Sequence, residues 1–402
     1  MPKPNLAIFG SGPAALLAAE QLCKHFDVHI YEKGKTIGRK FLVAGKGGFN
    51  LTNVVKDEAL YSQYTNNNII KEALGQFNCT QTRSWLKDLG IPTYVGSSGR
   101  VFPEKGIKPA QVLQQIKDKL ISHEVRFHYF HEFVGFDDKQ QPVVQTESTR
   151  FTVNADFYIF ALGGASWSVT GSNKDWLQPF AKLGVKTIPF EASNCGVDVL
   201  WPDNFKNNYA GTYLKNIQVS AGLKVRRGEL TITEYGLEGN ALYPLIPSIR
   251  SGLKTARLNE IHIDLKPNNT HHQLIAKTKG KKISTKNYAY EFNLTKTALA
   301  MTKLFTPKEN YISPERFVEI LKSLVIPITA LRPIEESIST VGGISLSEIN
   351  NSFALKQNPN TFIIGEMLDW DAPTGGFLLQ GCFSSAYVAA STIRQLAAST
   401  NP

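Results

Sequence analysis

The chain opens on an apolar run, Asn5-Leu-Ala-Ile-Phe9, with the length and character of a strand buried on both faces. Gly10-Ser-Gly12-Pro13-Ala14-Ala15 follows and leads into an alanine- and leucine-rich stretch of helical character to about His25. Asp27-Val-His-Ile-Tyr-Glu32 is a second strand, ending on an acid twenty residues beyond Gly12. Strand, tight glycine turn, helix and strand in this order predict a parallel βαβ unit and an α/β fold class. Two further apolar runs end in glycine, Phe157-Tyr-Ile-Phe-Ala-Leu-Gly163-Gly164 and Thr361-Phe-Ile-Ile-Gly365-Glu366, so the predicted sheet draws on both ends of the chain. From roughly 193 to 243, short alternating runs such as Leu230-Thr-Ile-Thr-Glu-Tyr235 predict antiparallel strands. From about 270 to 331 the spacing turns helical, as in Pro314-Glu-Arg-Phe317-Val-Glu-Ile320-Leu321. These changes of period divide the chain into a discontinuous nucleotide-binding domain (1–192 and 334–402), an inserted β-barrel-like part (193–269 and approximately 325–345) and a helical cap (270–324).

The first glycine turn carries chemistry. Gly10 permits the turn, Gly12 lets a pyrophosphate approach the backbone, and Ala15 takes the small-residue position for helix–strand packing. Amides at the helix N-terminus suit phosphates, and Glu32 suits ribose hydroxyls. The same glycines would also serve a tight turn with no ligand, but the acid at this distance favours a nucleotide. After Lys33 comes a long basic loop, Gly38-Arg39-Lys40 through Gly45-Lys46-Gly47-Gly48-Phe49-Asn50 to Asn53, which suits the extended pyrophosphate and ring system of FAD. Near the C-terminus, Asp369 and Asp371 lead into Thr374-Gly375-Gly376-Phe377-Leu378-Leu379-Gln380 and a small-residue helix. The positive end of that helix suits the flavin pyrimidine, where reduction places negative charge. No second GxGxxG follows residue 15, so an NAD(P)H donor is expected to dock only transiently.

Composition narrows the class. At 402 residues, with 42% hydrophobic and 19% charged, the chain is an ordinary globular one of two or three domains. No stretch approaches the roughly 18 apolar residues of a membrane span, and Gly10, Gly12 and Pro13 interrupt the N-terminal apolar segment, against a secretion signal. A cytoplasmic protein is expected. Cys23, Cys79, Cys195 and Cys382 lie far apart, against structural zinc or a redox disulfide. The net charge of +10 is concentrated: residues 250–310 hold twelve basic side chains against Glu260, Asp264, Glu291 and Glu309. Such a stretch either meets a polyanion such as RNA or simply keeps a surface wet.

At five blocks the sequence resembles the BaiN/RdsA-like family of FAD-dependent oxidoreductases: the fingerprint to Glu32-Lys33; Gly38-Arg39-Lys40 with Gly45 to Asn53; Ala161 to Ser166 through Thr170-Gly171-Ser172; Val341-Gly-Gly-Ile-Ser345; and Gly365-Glu366 through Gly375 to Gln380. The resemblance covers nearly the whole chain and implies a three-layer Rossmann-type FAD domain with an inserted substrate region. It implies Gly10, Gly12, Pro13 and Ala14 at the pyrophosphate, Glu32 and Lys33 at the adenosine ribose, and Arg39 and Lys40 along the phosphates or adenosine. It places the main chain of Val134 at the adenine edge. Gly45, Gly48 and Asn50 would border the ribityl chain or ring, with Gly163 nearby, while Gly365, Glu366, Asp369, Gly375, Gly376, Leu378 and Leu379 would close the cofactor from the other end. The chain also departs from the family pattern. Gly47-Gly48-Phe49-Asn50 stands where Gly-Arg-Cys-Asn is usual, and Gly375 to Gln380 reads Gly-Gly-Phe-Leu-Leu-Gln in place of Gly-Gly-Tyr-Asn-Leu-Gln. Any role of that arginine and cysteine therefore cannot transfer.

Members of this family are associated with dihydrouridine formation in ribosomal RNA and with bile-acid dehydroxylation, so three readings follow. One is reduction of a uracil base in RNA, with the lysine-rich 250–310 region on the polyanion; another is reduction of a small apolar enone; the third is a non-catalytic FAD-containing RNA- or ribosome-binding protein. Reduction of an activated double bond needs an acid for the α-carbon. Tyr235, Cys195 and Glu234 are candidates by position, against barrel packing, a small buried hydrophobe and a solvated strand residue.

Overall fold

The computed structural model describes residues 2–43, 48–65, 68–96, 98–171, 173–255, 259–279 and 287–400. Strand β1 (Asn5–Phe9) buries its last four residues, as a central parallel strand must. Helix α1 (Pro13–Leu22) starts where Pro13 presets the first helical φ, and its small and aliphatic residues bury nearly all round. Strand β2 (Asp27–Glu32) returns parallel to β1, with Phe9 opposite Tyr31. Six strands form the sheet in the order 354–355, 358–363, 157–160, β1, β2, 126–129; Ala354–Leu355 alone is antiparallel, at one edge. The helices Pro109–Ser122 and Phe377–Thr400 both pack on α1. A three-stranded antiparallel sheet, Glu132–Phe136, Pro142–Gln145 and Arg150–Thr152, adds a further layer. Phe133 meets Phe160 edge-on with ring centroids 5.0 Å apart, and Phe160 stacks on Phe9 at 4.7 Å. These elements belong to one compact unit, residues 1–191 with 339–402.

The second unit spans 192–338. Its sheet orders seven strands as 324–327, 260–264, 213–221, 224–232, 236–238, 197–198, 330–331. The two edge strands, Leu324–Pro327 and Ala330–Leu331, are separated only by Ile328 and Thr329, so the chain itself draws the edges together and the sheet curls in barrel-like fashion. The helices of the segment 270–324, set apart above as a cap, contribute Tyr288, Phe292, Met301 and Phe317 to the same core as Val219, Ile232, Leu237 and Ile263. Of the basic residues counted between 250 and 310, Arg257, Lys281, Lys282 and Lys286 lie outside the described residues. Among the described residues, no helix is long and apolar enough to cross a membrane, and no group of histidine, cysteine and acidic side chains could hold a metal ion.

Candidate functional site

Helix α1 begins without a side-chain cap and with no acid in its first turn; Gly12 is the N-cap, at φ −73° and ψ 179°. The amides of Ala14 and Ala15 have no hydrogen-bond acceptor among the described residues. An uncapped helix start leaves about half a positive charge aimed outward. Two glycines keep the space beyond it open. A Cβ on Gly12 or on Gly163, the latter at φ 76°, would meet nothing within 4 Å. Gly10 has a different reason: at φ 96° a Cβ there would run into the Ala161 carbonyl of the neighbouring strand.

The open space is a cleft of about 1060 Å³ including its solvent mouth. At one end lie Tyr31, Glu32 and Lys33 with His131, Glu132 and Phe133; the middle is Gly10 to Ala14 with Gly38, Arg39, Lys40 and Phe41; the far end is Ile364, Gly365, Glu366 and Cys382. Thr170, Gly171, Asn173, Asp175 and Trp176 line the wall as well. Glu32 accepts the Gly34 amide at 2.6 Å and the Ser11 hydroxyl, which fixes its carboxylate at the end of β2. Lys40 reaches both Glu366 and Ser166 at 2.8 Å, and Glu366 also accepts the Thr340 amide at 3.3 Å. Arg39 holds the 167–171 loop through the Val169 carbonyl at 2.8 Å, and Lys33 sits 3.7 Å from Glu132. Burial, followed by the Glu366 carboxylate, pushes the Cys382 thiol up to about 12, so it stays protonated.

This donor set fits a dinucleotide. Free amides open at mid-cleft for a diphosphate, with Arg39 and the Glu366-paired Lys40 on the cleft wall, and a fixed carboxylate stands at the end where a ribose diol would lie. Trp176, in the cleft wall, buries its indole N–H without an acceptor among the described residues. Such an orphan asks for an acceptor that the described residues do not supply.

Of the residues named from the sequence, the cleft brings together Gly10, Gly12, Pro13, Ala14, Glu32, Lys33, Arg39, Lys40, Gly163, Gly365 and Glu366. Val134 does not line it, although Glu132 and Phe133 do; it is the residue left out of register at the bulge between Phe133 and Gly135. A second group gathers at the start of Phe377–Thr400: Asn53 donates to the Gly375 carbonyl at 3.1 Å, Gly376 sits against the Thr52 backbone, and Leu378 and Leu379 are half-buried. Gly48 is at φ 106°, and the Asn50 side chain donates to its carbonyl at 3.0 Å. Asp369 is held by its amide on the Ile344 carbonyl at 2.9 Å. Gly45 lies outside the described residues. The candidate acids all fall in the second unit. Cys195 is buried, Glu234 is exposed, and Tyr235 donates to Glu238 at 2.6 Å under the Arg332 guanidinium. Burial, with the Glu238 carboxylate second, raises the Tyr235 phenol.

Sequence reasoning missed Ser11, Gly38, His131, Trp176 and Cys382. Ser11 and Gly38 stood inside motifs already quoted, whereas nothing local marks Trp176 or Cys382, which arrive by tertiary packing.

The fold and the cleft define an oxidoreductase that binds its flavin as a dinucleotide on a Rossmann-type sheet. The chain matches the HI0933-like protein Rossmann domain over residues 4–392, and it belongs to that family of FAD-dependent oxidoreductases. It is 25% identical to the ribosomal RNA dihydrouridine synthase of Haemophilus influenzae, covering 96% of this chain and 97% of the relative. It is 24% identical to the 3-dehydro-bile acid delta(4,6)-reductase of Clostridium scindens, covering 96% and 98%. Among solved structures, the 3-ketosteroid delta1-dehydrogenase of Sterolibacterium denitrificans shares the fold with a TM-score of 0.50 at 12% identity, covering 99% of this chain and 100% of that one.

Proposed function

We propose that the protein takes electrons from NAD(P)H and reduces an activated C=C bond, and that the bond is C5=C6 of a uracil in ribosomal RNA. Bound FAD would supply the hydride chemistry, accepting two electrons from the nicotinamide and delivering them to an electron-poor carbon. The chain's own contribution is positional. The Ala14 and Ala15 amides with Arg39 and Lys40 would hold the diphosphate, Glu32 with Lys33 the adenosine ribose, and the bulged backbone at Val134 the adenine edge. Gly48, Asn50, Gly375, Gly376, Leu378 and Leu379 would border the ring end.

The observation that carries the cofactor reading is the uncapped start of α1 opening on a cleft with a fixed carboxylate at one end. The full-length likeness to a ribosomal RNA dihydrouridine synthase and the cationic excess of 250–310 favour RNA as substrate. A second reading, reduction of a small enone, draws on the equally long likeness to the bile-acid reductase. Nucleoside analysis of ribosomal RNA from cells with and without the gene separates the two. Loss of a dihydrouridine is expected on deletion; unchanged RNA, together with NAD(P)H oxidation driven by a steroid enone, would replace the first reading with the second.

A further inference from the structure

Outside the lysine-rich stretch, the second unit carries a further group of cations that no carboxylate neutralises among the described residues. Strands Tyr213–Ala221 and Lys224–Ile232 form a hairpin closed by Gly222 and Leu223. Gly222 is at φ 58° and Leu223 is outside the left-handed region, as the type II′ turn that suits a two-residue loop requires. Leu223 is fully exposed at 103%. Opposite Glu229 the partner strand carries two residues, Lys215 and Asn216, with Asn216 at φ 53°. This bulge tightens the twist of the ribbon and re-aims the side chains beyond it.

One edge of the ribbon is open. Strand Lys224–Ile232 meets its other neighbour, Gly236–Glu238, only at Thr231 and Ile232, and Asn240 and Ala241 cover Gly228 and Glu229, which leaves Lys224 to Arg227 unpaired on that side. Lys224 and Arg226 share one face of this strand, Arg227 lies on the other and reaches across the neighbouring strand, and Lys215 sits on that neighbouring strand at the bulge, with Glu229 as the single acid of the hairpin. None of the four cations pairs with a carboxylate among the described residues. Arg227 is held by neutral acceptors: the Pro267 carbonyl at 3.0 Å, Asn268 at 3.3 Å and Gln218 at 3.4 Å. Its guanidinium is thus positioned while its charge stays whole. By contrast, Lys322 is spent on Asp264 at 2.6 Å and Arg332 on Asp198 and Glu336. The basic surface continues past Arg227 to Lys266, whose ammonium is depressed by burial and then by the nearby charge of Lys277.

We infer that this hairpin is an RNA-docking arm, with Lys215, Lys224, Arg226 and Arg227 on backbone phosphates of the substrate RNA. The inference rests on the RNA reading above. Guanidinium forks match phosphate geometry, and an exposed aromatic ring, Tyr213 at 55%, stands beside Lys215 where an unpaired base could stack. An anionic membrane is the weaker fit, since Leu223 and the partly exposed Val225 at the tip offer little apolar area for insertion. Lysine on an edge strand also discourages strand-to-strand aggregation, but that duty does not call for an arginine fixed by three neutral acceptors.

The test compares the wild-type holoprotein with a charge-removed hairpin, Lys224→Gln with Arg226→Gln and Arg227→Gln, and with a milder pair, Lys215→Gln with Lys224→Gln, which leaves both arginines in place. Flavin content and size-exclusion profile report the fold. The probes are ribosomal RNA from gene-deleted cells and phosphatidylglycerol vesicles, each titrated across salt. The triple variant is expected to bind RNA at least about tenfold more weakly, with the slope of log affinity against log salt reduced by about two to three. The pair is expected to reduce the slope by about one to two. If wild type binds RNA and the variants match it in affinity and slope, the hairpin assignment falls while the RNA reading stands. If only vesicle binding responds, the arm is a membrane contact and the assignment is overturned. If wild type shows no salt-dependent RNA binding and deletion leaves dihydrouridine unchanged, the functional reading fails and takes the arm with it.

Discussion

Glu32 is tied at once to the Ser11 hydroxyl and the Gly34 amide, so its carboxylate is aimed before any ribose arrives. Glu32→Gln keeps the shape and removes the charge that strengthens a hydroxyl hydrogen bond. Flavin affinity is expected to fall by roughly tenfold, in line with about 1.4 kcal/mol for a charge-assisted bond; an unchanged dissociation constant in fluorescence titration would put the ribose elsewhere. A few residues away, His29 and His128 face each other with ring nitrogens 2.9 Å apart, and Arg126, Asp27, Tyr31 and His131 surround the pair. Burial first, then the neighbouring His29, His131 and Arg126, lower His128 from its ordinary 6.5 to about 4. Between these values the unfolded chain binds a proton that the folded one refuses, so folding stability should decline as pH falls from about 6.5 to about 4 and then level off for this group. His128→Phe retains a ring against Tyr31 and should flatten that part of a melting-temperature profile. A slope that survives the substitution would assign it to another residue.

At the level of elements, the contrast lies between what neighbours in sequence decide and what distant segments decide. The β1–α1–β2 unit was legible because its strand, glycines, Pro13 and terminal acid act within one short stretch. The strand ending at Phe160 was legible for the same reason, as an apolar run stopped by glycine, and so was the end of the strand Asn358–Ile363, where Phe362-Ile-Ile364 runs into Gly365. The start of the C-terminal helix shows the opposite case. Gln380 is buried and bonds Thr52 at 2.5 Å, Thr82 at 3.0 Å and the Phe77 carbonyl at 2.8 Å, groups brought together only by tertiary packing. This glutamine closes the block Gly375 to Gln380, and it ties a helix to two other segments. Gln380→Leu would strand those partners in the interior, and a loss of about 2–4 kcal/mol is expected in urea unfolding. A loss under 0.5 kcal/mol, the ordinary range for a surface site, would show that the network does not hold the helix. The Val134 bulge and the open hairpin edge were likewise invisible, because both depend on where a partner strand stops.

For the molecule as a whole, the charge excess was readable as a number but not as a surface, because pairing decides which cations remain whole. Ion pairs neutralise Lys322 and Arg332, while the hairpin cations keep their charge, and no count along the chain separates the two groups. The cofactor makes a claim at the same scale. A ligand that binds only folded protein stabilises it by mass action, by about 2.7 kcal/mol when its free concentration is a hundred times its dissociation constant. That gain should fall on the cleft-bearing unit, which holds Trp85, Trp167, Trp176 and Trp370, while Trp201 alone lies in the other. Tryptophan fluorescence during urea unfolding should therefore shift to higher denaturant as FAD is added. A Trp201→Phe variant, which leaves only the cleft-side indoles, should report the same displacement. Gly12→Val fills the space above the α1 amides and should abolish the displacement while unfolding as one species. A transition indifferent to FAD, from protein that gains no yellow absorbance in excess cofactor, would overturn the flavin reading and every inference built on it.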